Sequence, residues 1–444
     1  MDHNGFPREP LLEQLGAVIT REVTDTLTKA VEVHSLVCFH GEGGCGKTTT
    51  AQSLEAALPP GSRTVLYDCY GAGSYRDQSQ SCHQPYEAFM QLSNELARVT
   101  NTPLFFPFVN RSDMASAFRK KLVAAAELFA LDQPKALLVI LIDAADNAVH
   151  AATRVTPSQE CFVHQLVTFN KLPLNVRIVI SSRTGRVKDL KLPEDTVSVT
   201  CPPFSLKETA AFLALNGLTG PDSSVEDFYE LSTHNPRVQS NTVETAESLE
   251  DAINFLQPNG QSLPDLFDAM IEKARSRAGV ETSRTRLTAA LSVMPTPVPI
   301  AYLASVCGHE EAVCRDLIVE LTQRNVRLSD RGVELANEDF EAYCEEKGQP
   351  ETAAVTSKTA DLLMRDRLTS EYAATHLFEL LVQAKRKADL QTCLDEPEAT
   401  TAIADRVKRR QVELSRTQML DYRTSTPQLS AHSWPARPTS VPLT

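Results

Sequence analysis

A run of β-branched and aromatic residues, Val33 to Phe39, leads into Gly41-Glu-Gly-Gly-Cys-Gly-Lys-Thr48, and a helical stretch to Leu58 follows. This complete GxxxxGK(S/T) pattern constrains the fold more than any other feature of the chain. Its glycines let successive N–H groups turn inward around a phosphate, and the helix behind presents the positive end of its dipole to the same point. In such a loop Lys47 reaches the β- and γ-phosphates and the Thr48 hydroxyl binds Mg²⁺. Gly41, Glu42, Gly43, Gly44, Cys45, Gly46, Lys47 and Thr48, with Thr49 behind them, are therefore the expected phosphate cradle. Pro59, Pro60 and Gly61 stop the helix.

The next 140 or so residues alternate short apolar runs with longer amphipathic ones. Thr64 to Cys69 reads as a strand, Tyr70 to Gln84 as a polar loop, and Pro85 to Val99 and Arg111 to Leu131 as helices. Ala136 to Ile142 is almost continuously apolar, as in a parallel strand buried on both faces. Ser158 to Phe169 reads as a helix, and Val176 to Ile180 and Val197 to Cys201 as two more strands. Strands alternating with helices predict an α/β fold: a five-stranded, doubly wound parallel sheet. Ahead of it, Leu11, Leu12, Leu15, Val18 and Ile19 repeat at helical spacing within Pro10 to Val31.

After Pro203 the pattern is helical. Ser205 and Glu208 form the start of a capping box, and Pro258-Asn-Gly260 reads as a linker. Helices at Leu263 to Ala278, Thr282 to Val293, Ile300 to Val306 and Glu310 to Leu321 precede an extended element at Arg327 to Leu335, then a helix from about Glu338. Short helices followed by a hairpin suggest a winged-helix arrangement. Thr369 to Leu394 reads as a helical pair and Thr401 to Arg416 as a further helix. The expected organisation is an N-terminal helix (1–31), a phosphate-loop core (32–203), a helical domain (204–258), linker helices with a winged-helix-like domain (259–350), a helical C-terminal region (351–420) and a tail (421–444). Four prolines, many Ser and Thr, and no period lead us to expect disorder in that tail, which holds the chain's single tryptophan, Trp434. A truncated or out-of-frame end is one reading of it.

Asp143 ends the most apolar strand, where an aspartate holds Mg²⁺ through water. Ala144 follows it where a catalytic glutamate is usual, so Asp146 is the acid expected to orient the attacking water. Arg183 ends the Ile178 to Ile180 strand, at the sheet end that faces the γ-phosphate, where a guanidinium can sense it by charge-assisted hydrogen bonds; Arg186 is the competitor. In His234-Asn-Pro-Arg237, Pro236 is the rigid residue able to pack on a purine ring. No Asn-Lys-x-Asp base-reading motif occurs, which favours adenine.

The formal charge of −13, from 44 basic and 57 acidic residues, argues against a general nucleic-acid binder. Glu334, Glu338, Asp339, Glu341, Glu345 and Glu346 would give the winged helix an acidic face, so no nucleic-acid partner is expected. No stretch approaches 18 uninterrupted apolar residues, so no membrane partner is expected either. Met1 to Pro10 has no apolar core of a signal peptide, and the ten cysteines include no CxxC pair; both suit a reduced, cytoplasmic protein.

The series matters more than any one motif: phosphate loop, strand ending in Asp143-Ala-Ala-Asp146, strand ending in Ser-Ser-Arg183, helical domain with His-Asn-Pro-Arg237, winged-helix-like stretch. It resembles the STAND class of signal-transducing ATPases, which includes NACHT and NB-ARC domains, and is most similar to bacterial STAND ATPases of antiphage defence. Tyr67-Asp-Cys-Tyr-Gly71, Asn94-Glu-Leu-Ala97, Leu141-Ile-Asp-Ala-Ala-Asp-Asn147 and Asn235-Pro-Arg-Val-Gln239 add to it, over roughly residues 30 to 395. The resemblance implies Gly41 to Thr48 as Walker A, Asp143 and Asp146 as the Walker B acids, Arg183 as sensor arginine and Pro236 as the residue touching adenine. It implies ATP and Mg²⁺ as cofactors, an ATP/ADP switch, a homo-oligomer on activation and a protein trigger or effector. Two positions depart from the pattern. His234-Asn235 replaces the usual glycine before the proline. Asn337-Glu338-Asp339-Phe340 stands where relatives carry an ADP-contacting histidine. The alternatives are a nucleotide-bound interaction module with negligible turnover and a small-molecule or nucleotide kinase, the latter opposed by the domains after residue 205.

Overall fold

The apolar runs of the first 200 residues become one parallel sheet in the computed structural model, which describes residues 18–76, 83–104, 113–154, 160–169, 171–257, 261–279, 283–321, 325–396 and most of 398–417. The start of the expected first helix, Pro258-Asn-Gly260 and the tail with Trp434 lie outside the described residues. The contacts divide the chain into two compact units: Met1–Arg154 with Gln159–Val355, and Val155–Ser158 with Thr356–Thr444.

In the first unit, α1 (Glu22–Val33), β1 (Leu36–Gly41), α2 (Lys47–Ala57), β2 (Arg63–Asp68), α3 (Pro85–Thr100), α4 (Met114–Asp132), β3 (Leu138–Asp143), α5 (Ala145–Arg154), α6 (Phe162–Leu166), β4 (Val176–Arg183) and β5 (Val197–Thr200) follow one another. The sheet order is β2-β3-β4-β1-β5, every pair parallel. The strand between the phosphate-loop strand β1 and the Asp143 strand β3 is β4. Successive side chains of a strand point to opposite faces, and both faces here are covered. Leu138, Ile140 and Ile142 pack with α3, α4 and α6 through Phe89, Phe118 and Phe162. Val139 and Leu141 pack with Val37, Phe39 and Val179 against Leu27, Val31 and Leu54 of α1 and α2. All six residues of β3 are buried, as its sequence required.

Two helices differ from the sequence reading. The residues after Asp143, to which the sequence reading assigned no element, form α5. Its buried stripe is Ala145, Ala148, Val149 and Ala152; the helical spacing is present, but small alanines make a weak apolar signal. Asp146 therefore stands in the first turn of a helix rather than in a solvated loop. Conversely, of the helix expected over Ser158 to Phe169, whose first two residues lie outside the described ones, only Phe162–Leu166 is helical; Thr168 and Phe169 donate to carbonyls three residues back and tighten the chain into turns.

Next come α7 (Leu206–Leu215), α8 (Asp222–Leu231), α9 (Pro236–Thr245) and α10 (Leu249–Leu256). They enclose Leu213, Phe228, Val238, Ala252 and Leu256. The capping box at Ser205 and Glu208 is formed. Then α11 (Leu263–Ala278), α12 (Arg284–Val293), α13 (Ile300–Cys307) and α14 (Glu311–Leu321) lead to the antiparallel hairpin β6 (Val326–Ser329) and β7 (Gly332–Leu335), followed by α15 (Glu338–Gly348). Val298 bridges to Val333 at the hairpin's edge. This is the helix-then-hairpin order expected of a winged-helix-like domain.

The segment after β2, read as polar loop, is partly structural. Gly71–Arg76 forms a short 3₁₀ helix that receives the hairpin. A Cβ on Gly73 would stand 2.3 Å from the Leu335 carbonyl oxygen, and its φ is +87°; only glycine fits. Tyr70 Oη donates to that same carbonyl at 3.0 Å, and Tyr75 Oη donates to Glu341 at 2.6 Å. Arg76 pairs with Glu341 at 3.5 Å, both buried, and donates to the carbonyls of Leu291, Ser292 and Met294. Of the six acids expected to form an acidic face, Asp339 and Glu341 are buried and Glu346 is exposed. Glu341 is 2% exposed and Asp339 is 9% exposed, each held by arginines.

The second unit follows α15 with α16 (Thr352–Asp366), α17 (Glu371–Gln383) and α18 (Lys387–Asp395), of which α17 and α18 are the expected pair. Arg367 and Glu396 form a two-point pair at 2.8 and 3.2 Å.

Ile140 is fully buried in the central strand, so Ile140→Ala should cost ~2–5 kcal/mol by removing three carbons from a packed interior, read as a lower urea midpoint. An unchanged midpoint would contradict the packing of β3.

Candidate nucleotide site

Gly44 and Gly46 take left-handed backbone angles, φ +73° and +88°, and Gly46 is the residue from which α2 starts. The loop so formed turns back on itself. Lys47 Nζ donates to the carbonyls of Gly41 and Glu42, both at 2.9 Å. Burial works against its charge, but Cys45, Glu338 and Asp339 raise its pKa above the ordinary lysine value. Thr48 sits in the first turn of α2 and its Oγ1 donates to Asp143 Oδ2 at 2.8 Å. Ser181 of β4 donates to Asp143 Oδ1 at 2.5 Å, and its oxygen accepts the Ala144 N–H at 2.7 Å. Burial raises the Asp143 pKa, and these two hydroxyl bonds oppose it.

The Thr48–Asp143 pair is the arrangement that hard-cation binding needs: a hydroxyl and a carboxylate oxygen in contact at the mouth of a phosphate loop. Among the described residues, no three His, Cys, Asp or Glu side chains are grouped to hold a metal by themselves. A hydroxyl and a carboxylate are hard oxygen donors, of the kind Mg²⁺ takes together with phosphate and water.

Asp146 is 2% exposed. Its Oδ2 pairs with Arg186 at 3.3 Å, while its Oδ1 is buried with no hydrogen-bond partner among the described residues. A buried carboxylate oxygen without a partner is costly unless it serves a ligand or a water. Burial and then the charge of Glu338 push the Asp146 carboxyl up to about 6.

Arg183 lies where the strand register sends it: β1 pairs with β4 so that Gly41 is opposite Arg183. Its guanidinium, however, is engaged. Nε pairs with Glu338 at 3.0 Å and Nη2 with Asp339 at 3.0 Å, both at the start of α15. Asn147 donates to the same Glu338 oxygen at 3.1 Å. For Glu338 burial favours the neutral form, but Arg183, Lys47 and Arg186 outweigh it and hold the carboxyl below the usual range. Asp339 also pairs with Arg237 at 3.4 Å, and a Cβ on Gly43 would stand 2.4 Å from its Oδ1.

The His-Asn-Pro-Arg segment reaches the loop through residues other than the one singled out. Thr233 and His234 both take left-handed angles, φ +50° and +59°. This turn delivers Asn235 as the cap of α9: Oδ1 accepts from Arg237 and Val238, and Nδ2 donates to the Gly43 carbonyl at 3.1 Å. The Arg237 N–H donates to the Gly44 carbonyl at 3.2 Å. Pro236 is buried at the first helical position between them. Sequence reading also missed Arg21, the residue before α1. Its guanidinium lies over Phe204, 4.9 Å from the ring centre, and donates to the carbonyls of Cys45 and Pro202 at 2.7 Å, with Glu208 at 3.2 Å. Nothing in the sequence around Arg21 marks it; Glu338 and Asp339 could have been found as the acids standing at the expected histidine's place.

No family model matches the sequence, and no curated protein is similar to it. Solved structures do resemble it. The Walker-type ATPase paby2304 of Pyrococcus abyssi aligns at 14% identity and TM-score 0.40, over 73% of this chain and 95% of that one. The STAND protein with a tetratricopeptide repeat sensor PH0952 from Pyrococcus horikoshii aligns at 10% identity and TM-score 0.43, over 94% of this chain and 59% of that one. The Aeropyrum pernix ORC2 protein aligns at 11% identity and TM-score 0.36, over 75% of this chain and 93% of that one. Likenesses this distant leave the reading of the site to its own geometry.

Asp146 supplies a test independent of ligand. A carboxyl raised above its unfolded value binds its proton more tightly in the folded chain, so it withdraws stability as pH rises from about 4 to about 6. The melting temperature of Asp146→Asn minus that of the wild type should therefore increase between pH 4.5 and pH 7.5 in nucleotide-free protein. A difference that stays constant across that range would place Asp146 in water rather than in the interior.

Proposed function

We propose that the chain is an ATP-binding and ATP-hydrolysing molecular switch of the STAND type. The observation that carries this is the Thr48–Asp143 contact at the mouth of the Gly41–Thr48 loop, on a β2-β3-β4-β1-β5 sheet. Gly41 to Thr49 bind the triphosphate, and Thr48 and Asp143 hold Mg²⁺, which when bound would neutralise charge between the β- and γ-phosphates. The Oδ1 of Asp146, without a partner among the described residues, accepts a hydrogen bond from the attacking water and so orients it. Arg183, at the end of β4, is the cation that would turn to the γ-phosphate on leaving Glu338 and Asp339. In this reading Pro236, between Asn235 and Arg237, is the residue that packs on the adenine.

The switch reading rests on three sets of elements meeting at one loop: the sheet, the start of α9 and the start of α15. Binding free energy for a triphosphate can be spent on rearranging them. In this reading the protein works in the cytoplasm, in signalling or antiphage defence, forms a homo-oligomer when triphosphate is bound, and answers a protein trigger or effector. A second reading, an interaction module that binds nucleotide with negligible turnover, draws on Ala144 and on the Arg186 pair that occupies the other oxygen of Asp146.

Lys47→Ala should abolish nucleotide binding or turnover, measured as nucleotide content after purification and multiple-turnover phosphate release. Asp146→Asn should slow turnover ~10²-fold or more while affinity stays within about threefold, as expected for a residue acting on the water alone. Wild-type turnover in the Lys47→Ala variant would refute the assignment of the loop. Tight binding without turnover in the wild type would select the interaction module.

A further inference from the structure

We propose that Glu338 and Asp339 are an internal surrogate for the terminal phosphate: their carboxylates hold the cations a triphosphate would take, so ATP and the start of α15 exclude one another from the site. The inference rests on the nucleotide reading above and adds its regulation.

Four observations converge on it. First, Arg183 is set by strand register opposite the first residue of the phosphate loop, yet its guanidinium divides between two carboxylates at 3.0 Å each. Two adjacent carboxylates present two negative charges and several oxygens to a planar fork, as a terminal phosphate does. Second, Asp339 joins Arg237 at 3.4 Å and lies against Gly43, so it touches the loop itself and not only the sheet behind it. Third, Glu338 also takes the amide of Asn147, on the helix that carries Asp146. The acids thus draw on the β4 end, the Asp146 helix and the start of α9 together. Fourth, their placement is prepared. Asn337 caps α15 by accepting from the N–H groups of Asp339 and Phe340, and its amide donates to Asn325 at 3.0 Å.

The alternative is a purely structural ion-pair cluster that fixes the winged-helix-like domain on the core. Magnitudes favour exchange. Partly buried ion pairs gain little net free energy, because the cost of removing both charges from water offsets most of their attraction. The docking of this domain has other supports in the Gly73–Leu335 approach and the Tyr70, Tyr75 and Arg76 bonds. Removing one carboxylate partner from arginines, by contrast, leaves them to whatever anion is present, and a nucleotide brings one. The consequence separates the two nucleotides. A diphosphate can occupy the loop without claiming Arg183, whereas a triphosphate competes with the acids directly.

The test uses the full chain, with a fluorescent non-hydrolysable ATP analogue and fluorescent ADP, both with Mg²⁺, and anisotropy as the readout. Glu338→Gln with Asp339→Asn should tighten the triphosphate analogue at least tenfold and ADP less than threefold. Equal or weaker triphosphate affinity in a variant that melts within a few degrees of the wild type would overturn the proposal. Should the double variant fail to fold, hydrogen exchange on the wild type decides. The triphosphate analogue should speed amide exchange over residues 337–341 and ADP should not; unchanged or slower exchange there overturns it. Lys47→Ala separates the two levels of argument. If the wild type binds neither nucleotide better than Lys47→Ala, the nucleotide reading and this proposal fall together. If it binds both and the double variant brings no gain, only the surrogate fails.

Discussion

One strand, β4, stands between the strand that enters the phosphate loop and the strand that ends in Asp143, and the site is arranged by that placement. Thr48 and Asp143 must meet across the top of β4. They do so because Ser181 of β4 holds the other oxygen of Asp143 and the N–H that follows it. The same strand continues two residues further and ends in Arg183, beside Gly41. Three roles therefore follow from one register: closing the cation position, fixing the turn into α5, and setting a guanidinium at the rim. Move β4 by one residue and its side chains change faces, with Ser181 lost from Asp143.

The sheet was legible because its inner strands β1, β3 and β4 are buried almost throughout and so show as short apolar runs, while the edge strands β2 and β5 alternate buried with half-exposed residues. The phosphate loop was legible because its glycine spacing serves backbone geometry that few sequences meet by accident. Asp143 could be read from its place at the end of the most apolar run. Helix α5 could not, because a stripe of alanines carries little hydrophobic contrast. Nor could the engagement of Arg183: it depends on residues 155 and 156 positions further along the chain, and no local pattern encodes a contact at that separation. The acids at 338 and 339 were visible as charge, and charge alone suggested a solvated face. Only their burial against arginines gives them a different meaning. Asn235 and Arg237 show the same limit on a smaller scale. The motif was found, while the left-handed Thr233 and His234 ahead of Asn235 decided which of its side chains reach the loop.

The segment that holds the β6–β7 hairpin and α15 meets the core through contacts of two kinds that obey different physics. At Gly73 the fit is steric, backbone against backbone, with tyrosine hydroxyls beside it. At Glu338 and Asp339 it is ionic, and dissolved salt and competing anions act on it. The Gly73 end is also tied by the buried Arg76–Glu341 pair, so loss of the Glu338 and Asp339 contacts would leave that end in register. The first behaves as a pivot and the second as a catch.

Arg21 has a mechanical consequence. Its one guanidinium grips the carbonyl of Cys45 in the loop, the carbonyl of Pro202 where the chain leaves the sheet, and Glu208 in the next helix. It stands at the very start of α1, so tension or torque on the backbone entering that helix is delivered to the loop at Cys45 without passing through the sheet. One side chain therefore couples the start of α1 to the phosphate cradle.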